Sequence, residues 1–266
     1  MNCYTCWRKI KKISENLKKN NFNDIQEIPQ EKVQRLLDSI EEIAHNPHIN
    51  QQSAEFIIKH EKMQEPLKLI RRFFFEVGES REMDKAHEVL QSSDPWSTIQ
   101  SFHFYNRYQK LIQNENQLVN FNSSKKVAFV GGGPLPLTPI FLNELYNVQS
   151  SSIEIIPDTA LLSEKLIKKL NLTEQINIIT GDETSLENIE FDVVVVAALA
   201  EPKGRVFKNI KKLVEYNTPI IYRTYTGMRA IRYVPMDEGV LDGFKTIDTV
   251  EPKGNINNTS VLIMKA

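Results

Sequence analysis

Cysteine, glycine and net charge are all scarce in this chain of 266 residues. The two cysteines, Cys3 and Cys6, form one C-x-x-C pair with no second pair to complete a zinc set. So few thiols exclude a disulfide-stapled secreted scaffold. The 33 Lys and Arg nearly cancel the 34 Asp and Glu, leaving a formal net charge of -1. A global field that would gather nucleic acid or an acidic membrane surface is therefore missing. Arg8, Lys9, Lys11 and Lys12 make a small basic patch that reads as a solvated helix face. The longest apolar runs, FDVVVVAALA among them, fall short of the ~20 residues a membrane span needs. MNCYTCWRKIKKI lacks the apolar stretch of a signal peptide. The five histidines are scattered, without H-E-x-x-H, so no bound metal is expected. Together these absences predict a soluble, reduced, cytoplasmic protein with no nucleic acid or membrane partner.

What is present falls into two patterns. Residues 1–122 read as a helical domain of about five helices. EKVQRLLDSIEEIAHN places Val33, Leu36, Leu37, Ile40, Ile43 and Ala44 on one face. Pro66 suits the first turn of a further helix that buries Leu67, Ile70, Phe74 and Val77, and a short helix is expected from Arg81 to Gln91. Asp94-Pro95 reads as an N-cap and an N1 proline opening SFHFYNRYQKLI. From 123 to 266, KVAFV, SIEII, INIIT, FDVVVV and PIIYRT alternate with amphipathic stretches. Continuous apolar strands alternating with helices predict a parallel sheet covered on both faces. GFKTIDTV and NTSVLIMK, joined through EPKGNIN, predict a terminal antiparallel hairpin. The fold class expected is α/β: an all-helical N-terminal domain, then a Rossmann-like sheet of five parallel strands plus a hairpin. That is the arrangement of S-adenosylmethionine-dependent transferases.

The strongest local signal is VAFVGGGPLPLT, where three of the chain's ten glycines are consecutive between a strand and a helix. In a doubly wound sheet that turn lies at the ligand edge. A dinucleotide site would want glycine where Pro136 stands, and proline lacks the N–H a pyrophosphate uses. This disfavours NAD against a ligand without phosphates, such as S-adenosylmethionine. Glu154 ends the second strand, where a carboxylate can accept from both ribose hydroxyls; an exposed strand-end acid is the plainer alternative. Asp182 and Glu183 after the third strand suit an adenine amino group, or a simple Gly-Asp turn. Ala197 and Ala198 after the fourth leave room for a ligand and supply no catalytic group.

GGGPLPLT, DVVVVAALAEPK, RTYTGMRAIRYVP and FHFYNRYQKL resemble the nicotianamine synthase family, its archaeal members most closely. The resemblance covers nearly the whole chain. G-x-R-A-x-x-Y (Gly227, Arg229, Ala230, Tyr233) is specific. The plant pattern usually has serine in the middle of the glycine run, where this chain has Gly132. The resemblance implies transfer of the 3-amino-3-carboxypropyl group of S-adenosylmethionine, not its methyl group. The acceptor is an amino-acid amine, with glutamate or a growing chain in that role. Methylthioadenosine leaves and a metal chelator is built.

The site residues follow from the same resemblance. Glu82 matches the family's catalytic glutamate and Tyr108 its tyrosine; the plainer readings are a first-turn helix acid and a core aromatic. The donor site takes in Gly131, Gly132, Gly133, Pro134, Leu135, Thr138, Glu154, Asp182, Glu183, Ala197 and Ala198. The acceptor site takes in Tyr105, Arg223, Tyr225, Thr226, Gly227, Arg229, Asn258 and Ser260. Arginine forks match carboxylates, although Glu201 or Asp237 are structural partners for one of the two arginines on the plainer reading. Phe102, Tyr105 and Tyr108 lie three apart, so one face either roofs the site or fills the core. The expected partners are small molecules, with a homodimer left open. A small-molecule methyltransferase on the same fold is the enzymatic alternative, and a sensor of S-adenosylmethionine or a metal chelate is the non-enzymatic one.

Overall fold

The computed structural model describes residues 2–19 and 28–266. By contacts the chain divides into two units, Met1–Arg81 with Tyr225–Pro235, and Glu82–Thr224 with Met236–Ala266. The division at 122/123 follows element type instead, and we keep it as a proposal about where helices give way to the sheet.

The first unit is built from α1 (Cys3–Lys19), α2 (Gln30–Ala44), α3 (Gln51–Lys59) and the start of α4 (Glu61–Gln91). All six apolar residues assigned to the buried face of α2 are buried. Asn50 caps α3 by accepting from the Ser53 N–H at 2.8 Å. Leu67, Ile70, Phe74 and Val77 are buried on α4 as their spacing predicts. The expected break before Arg81 does not occur: α4 runs unbroken for 31 residues, with Pro66 inside it. Gly78 and Ser80 weaken the helix locally, but packing on both sides carries it through.

Residues 225–235 belong to this unit. They form a 3-10 turn, Gly227–Ile231. The Arg71 guanidinium donates twice to the Ala230 carbonyl, at 2.8 and 3.1 Å. Burial pulls the Arg71 pKa down to about 10. Arg232 is completely buried, 2.7 Å from the Glu41 carboxylate and over the Phe74 ring.

The second unit holds the sheet. Its strands are β1 (Lys126–Val130), β2 (Gln149–Glu154), β3 (Ile176–Thr180), β4 (Val193–Val196), β5 (Ile220–Thr224), β6 (Phe244–Val250) and β7 (Thr259–Lys265). The order is β3-β2-β1-β4-β5-β7-β6. β1 to β5 are parallel, and β7 pairs antiparallel with both β5 and β6. Sheet-face alternation splits the core. Val127, Phe129, Val193 and Val195 pack with α6 (Tyr105–Val119), α7 (Leu137–Tyr146) and α8 (Pro157–Lys169). Ala128, Val130, Val194 and Val196 pack with Val206, Phe207 and Ile210 of α9 (Lys203–Leu213). Asp94 caps α5 (Pro95–Gln100), as the Asp-Pro pair predicts, but α6 starts only at Tyr105.

α6 buries a carboxylate among its apolar residues. Glu115 has no exposed surface. Its two oxygens accept from Arg223 Nε at 2.7 Å and Nη2 at 2.8 Å, and Ser260 Oγ donates to it at 2.8 Å. Arg223 Nη1 donates to Thr138 Oγ1 at 2.8 Å, and the guanidinium lies 5.4 Å from the Phe129 ring centre. The network ties α6 and α7 to β5 and β7. Removing one partner of a buried pair strands the other's charge, at a cost of roughly 3–5 kcal/mol. Glu115→Ala is therefore expected to lower unfolding free energy by about that amount in denaturant titration. A loss below about 1 kcal/mol would mean the pair is not desolvated in solution.

Candidate active site

β1 delivers the chain to the glycine turn, and β2 supplies its anchors. The Gly131 and Gly132 N–H groups both donate to the Ile153 carbonyl, at 2.9 and 3.0 Å. Gly131 (φ 94°) and Gly133 (φ 67°) hold backbone conformations that side chains resist. At Gly131 space is also lacking: a Cβ there would lie 2.9 Å from Ala197 Cβ and 3.3 Å from Ala200 Cβ. At Gly132 a Cβ would meet Ser152 Oγ at 2.5 Å, so a side chain there needs that hydroxyl to turn away. Pro134 and Leu135 are buried behind the turn.

Glu154 is 7% exposed at the end of β2. One carboxylate oxygen accepts from the Gly133 N–H at 2.8 Å, the other from the Ile156 N–H at 2.9 Å. Each oxygen has a second lone pair, so capacity for a ligand's hydroxyls remains. The plainer reading as an exposed acid does not hold.

Glu82 reaches the same turn from α4. Its Oε2 lies 3.5 Å from where a Gly133 Cβ would stand. The Tyr108 hydroxyl, from α6, donates to Glu82 Oε1 at 3.3 Å. The first-turn explanation for Glu82 is removed, because α4 begins at Glu61. A carboxylate and a phenol thus meet beside a turn stripped of side chains. The carboxylate can take a proton and the phenol can orient the group that gives it.

Other expected residues turn elsewhere. Tyr105 is buried and donates to Glu144 of α7 at 2.9 Å, with its ring 4.6 Å from Phe141. Burial first, then Glu144, pushes its phenol pKa up. Tyr105 and Tyr108 therefore serve different partners. Arg223 and Ser260 converge on Glu115, and Thr138 accepts from Arg223; Glu115 is a partner other than the Glu201 or Asp237 that sequence suggests. Glu183 is turned toward α9, accepting from Asn209 Nδ2 at 2.8 Å and pairing with Arg205 Nε at 3.1 Å. Asp182 keeps the ligand edge but also caps the following turn; the Thr184 hydroxyl, then the Thr184 N–H, hold its pKa below the usual value. Ala197 and Ala198 are half-buried just past β4. Asn258 lies in the loop before β7.

Tyr225, Thr226, Gly227 and Arg229 lie in the other contact unit. There the Tyr225 ring is 4.8 Å from Tyr233, which meets Phe74 edge-on. The Thr226 carbonyl accepts from the Arg229 N–H at 3.2 Å, and Gly227 has φ 56°. Glu115, Lys203 and Arg232 escaped sequence reasoning. The spacing Leu111, Ile112, Glu115, Val119 on one face was the available signal for the first. Among the described residues there is no cluster of His, Cys, Asp and Glu fit to hold a metal ion.

Residues 5–266 match the family described as nicotianamine synthase protein. The chain belongs to the nicotianamine synthase family. Nicotianamine synthase 2 of Arabidopsis thaliana is 27% identical over 184 residues, covering 65% of this chain and 58% of that protein. The match thus spans under two thirds of the plant relative's length. A solved structure of MtNAS in complex with MTA and tNA is 48% identical, with a TM-score of 0.95 and full coverage of both chains. A mutant of MtNAS in complex with S-adenosylmethionine is 46% identical, TM-score 0.94, again over all of both chains. The mitomycin 7-O-methyltransferase MmcR, 13% identical with a TM-score of 0.50 over 86% of this chain and 75% of that one, shows the fold alone.

In this nicotianamine synthase family member, Gly131 is the least replaceable residue of the turn. Its φ strains any side chain by about 1–2 kcal/mol, before the contact with Ala197 is counted. Gly131→Ala is expected to lose at least that much unfolding free energy in denaturant. Wild-type stability in Gly131→Ala would show that the turn relaxes freely.

Proposed function

We propose that this chain transfers the 3-amino-3-carboxypropyl group of S-adenosylmethionine to the amine of an amino acid, glutamate or the growing chelator. The observation that carries the reading is Glu82 beside the glycine turn with the Tyr108 hydroxyl on it. An ammonium acceptor has no lone pair. Once Glu82 removes its proton, the nitrogen can bond to the methylene carbon next to the sulfonium. The carbon–sulfur bond breaks, its electron pair stays on sulfur, and neutral methylthioadenosine leaves.

Each other residue has a part in this reading. The turn Gly131–Gly133 lets the donor approach backbone, with Pro134 and Leu135 behind it. Glu154 takes the ribose hydroxyls and Asp182 the adenine amino group. Ala197 and Ala198 leave space. Tyr225, Thr226, Gly227, Arg229 and Asn258 receive the acceptor's carboxylates, a role supported by the family motif. Thr138, Glu183, Arg223, Ser260 and Tyr105 hold the frame through the contacts above, and their part is support of the site rather than ligand contact. A reduced cytoplasmic setting fits two free thiols, Cys3 and Cys6. Among the described residues no helix is long and apolar enough to cross a membrane. Nothing in the reading depends on a homodimer.

Two variants test the assignments separately. Glu82→Gln keeps shape and removes basicity, so single-turnover release of methylthioadenosine should slow by roughly 10²–10⁴-fold with donor affinity nearly unchanged. Glu154→Ala should do the reverse, weakening S-adenosylmethionine binding by about 1.5–3 kcal/mol in calorimetry. Full turnover in Glu82→Gln would remove it as the base, and unchanged affinity in Glu154→Ala would remove it from the donor site.

A further inference from the structure

We infer that Lys203 is a positioning residue for the donor pocket, its ammonium bridging two carbonyls so that the turn after β4 is fixed against the glycine run. The inference rests on the donor reading above. Lys203 Nζ donates to the Ala200 carbonyl at 2.7 Å and to the Ala197 carbonyl at 3.0 Å. Glu201 Oε1 stands 3.8 Å away, and the lysine side chain is only 12% exposed. Both bridged residues are the ones that press on Gly131, at the 2.9 and 3.3 Å where its Cβ would be. The Ala197 N–H donates to the Val130 carbonyl at 2.9 Å, so the turn starts in register with the end of β1.

The placement is costly by local rules. Lys203 is the first residue of α9, where the helix dipole opposes a cation. Burial adds to the cost and brings its pKa down to about 8, with Glu201 opposing that shift. Among the described residues Glu201 is the charged side chain that acts on the ammonium, and the turn after β4 offers it the carbonyls of Ala197 and Ala200. A cation kept at such a position is explained by the two carbonyls it holds. Without the ammonium, the Ala197 carbonyl keeps only the Ala200 N–H, at 3.2 Å, and the Ala200 carbonyl loses its bond to Lys203, so the turn beside Gly131 is held less firmly. The pocket edge would loosen while Glu82 and Tyr108, on α4 and α6, stayed in place.

The test uses the full chain with Lys203→Met and Lys203→Arg. Lys203→Met removes charge-assisted bonds and should raise KM for S-adenosylmethionine about tenfold or more, with kcat held within about threefold. Lys203→Arg keeps donors and charge, so it should restore most of the lost affinity. From about pH 7 to about pH 9.5 the donor's own amine titrates alike in every protein. Wild type should show an extra loss of affinity above about pH 8, where the ammonium gives up its proton, and Lys203→Arg should not. Amide exchange at Ala200, measured without ligand, should quicken about tenfold in Lys203→Met. An unchanged KM in Lys203→Met, or a loss confined to kcat, overturns the inference, as does unchanged exchange. If Lys203→Met does not fold, the pH comparison of wild type with Lys203→Arg decides alone. If wild type releases no methylthioadenosine, the proposed function fails, and the exchange measurement still judges Lys203.

Discussion

The buried pair between Glu115 and Arg223 sets the rotation of α6, and the candidate site depends on that rotation. Glu115 and Tyr108 are seven residues apart, so on a helix they fall within ~20° of the same face. Anchoring Glu115 to β5 and β7 therefore turns Tyr108 the same way, and its hydroxyl finds Glu82 at 3.3 Å. A neutral contact would leave α6 free to adjust by sliding. A bidentate ion pair with fixed geometry does not. The cost of burying two charges is offset by four hydrogen bonds, two within the pair and one each to Thr138 and Ser260.

A second carboxylate organises the other half of the site. Glu154 holds the glycine turn through Gly133 and its own chain through Ile156. The two bonds fix the orientation of the carboxylate, which in the proposed function accepts the donor's ribose hydroxyls. Preorganised acceptors lose little freedom on binding. The turn it supports is packed on one side by Ser152 and on the other by Ala197 and Ala200, with the glycine positions as the clearance between them.

Features set by short sequence spacing were legible. The buried face of α2, the five parallel strands, the terminal hairpin, the glycine turn and the position of Glu154 all follow from patterns within a dozen residues. Glu82 and Tyr108 were legible only through family resemblance, because each by itself reads as an ordinary helix residue. Features set by distant partners were not legible. Arg223 and Glu115 are 108 positions apart, and a lone glutamate on an apolar face gives no hint of which cation it will meet. Glu183 was placed at the right edge but with its carboxylate facing the wrong way, since only the docking of α9 decides that. The continuity of α4 through Gly78 was missed because local propensity says nothing about packing further along.

The most direct measurement is the identity of the nucleoside released when the purified chain is given S-adenosylmethionine and glutamate. Attack at the methylene carbon of the aminocarboxypropyl arm leaves methylthioadenosine, and attack at the methyl carbon leaves S-adenosylhomocysteine. Chromatography separates the two. The account predicts methylthioadenosine together with a product heavier than glutamate by the aminocarboxypropyl group. S-adenosylhomocysteine as the nucleoside product would contradict it.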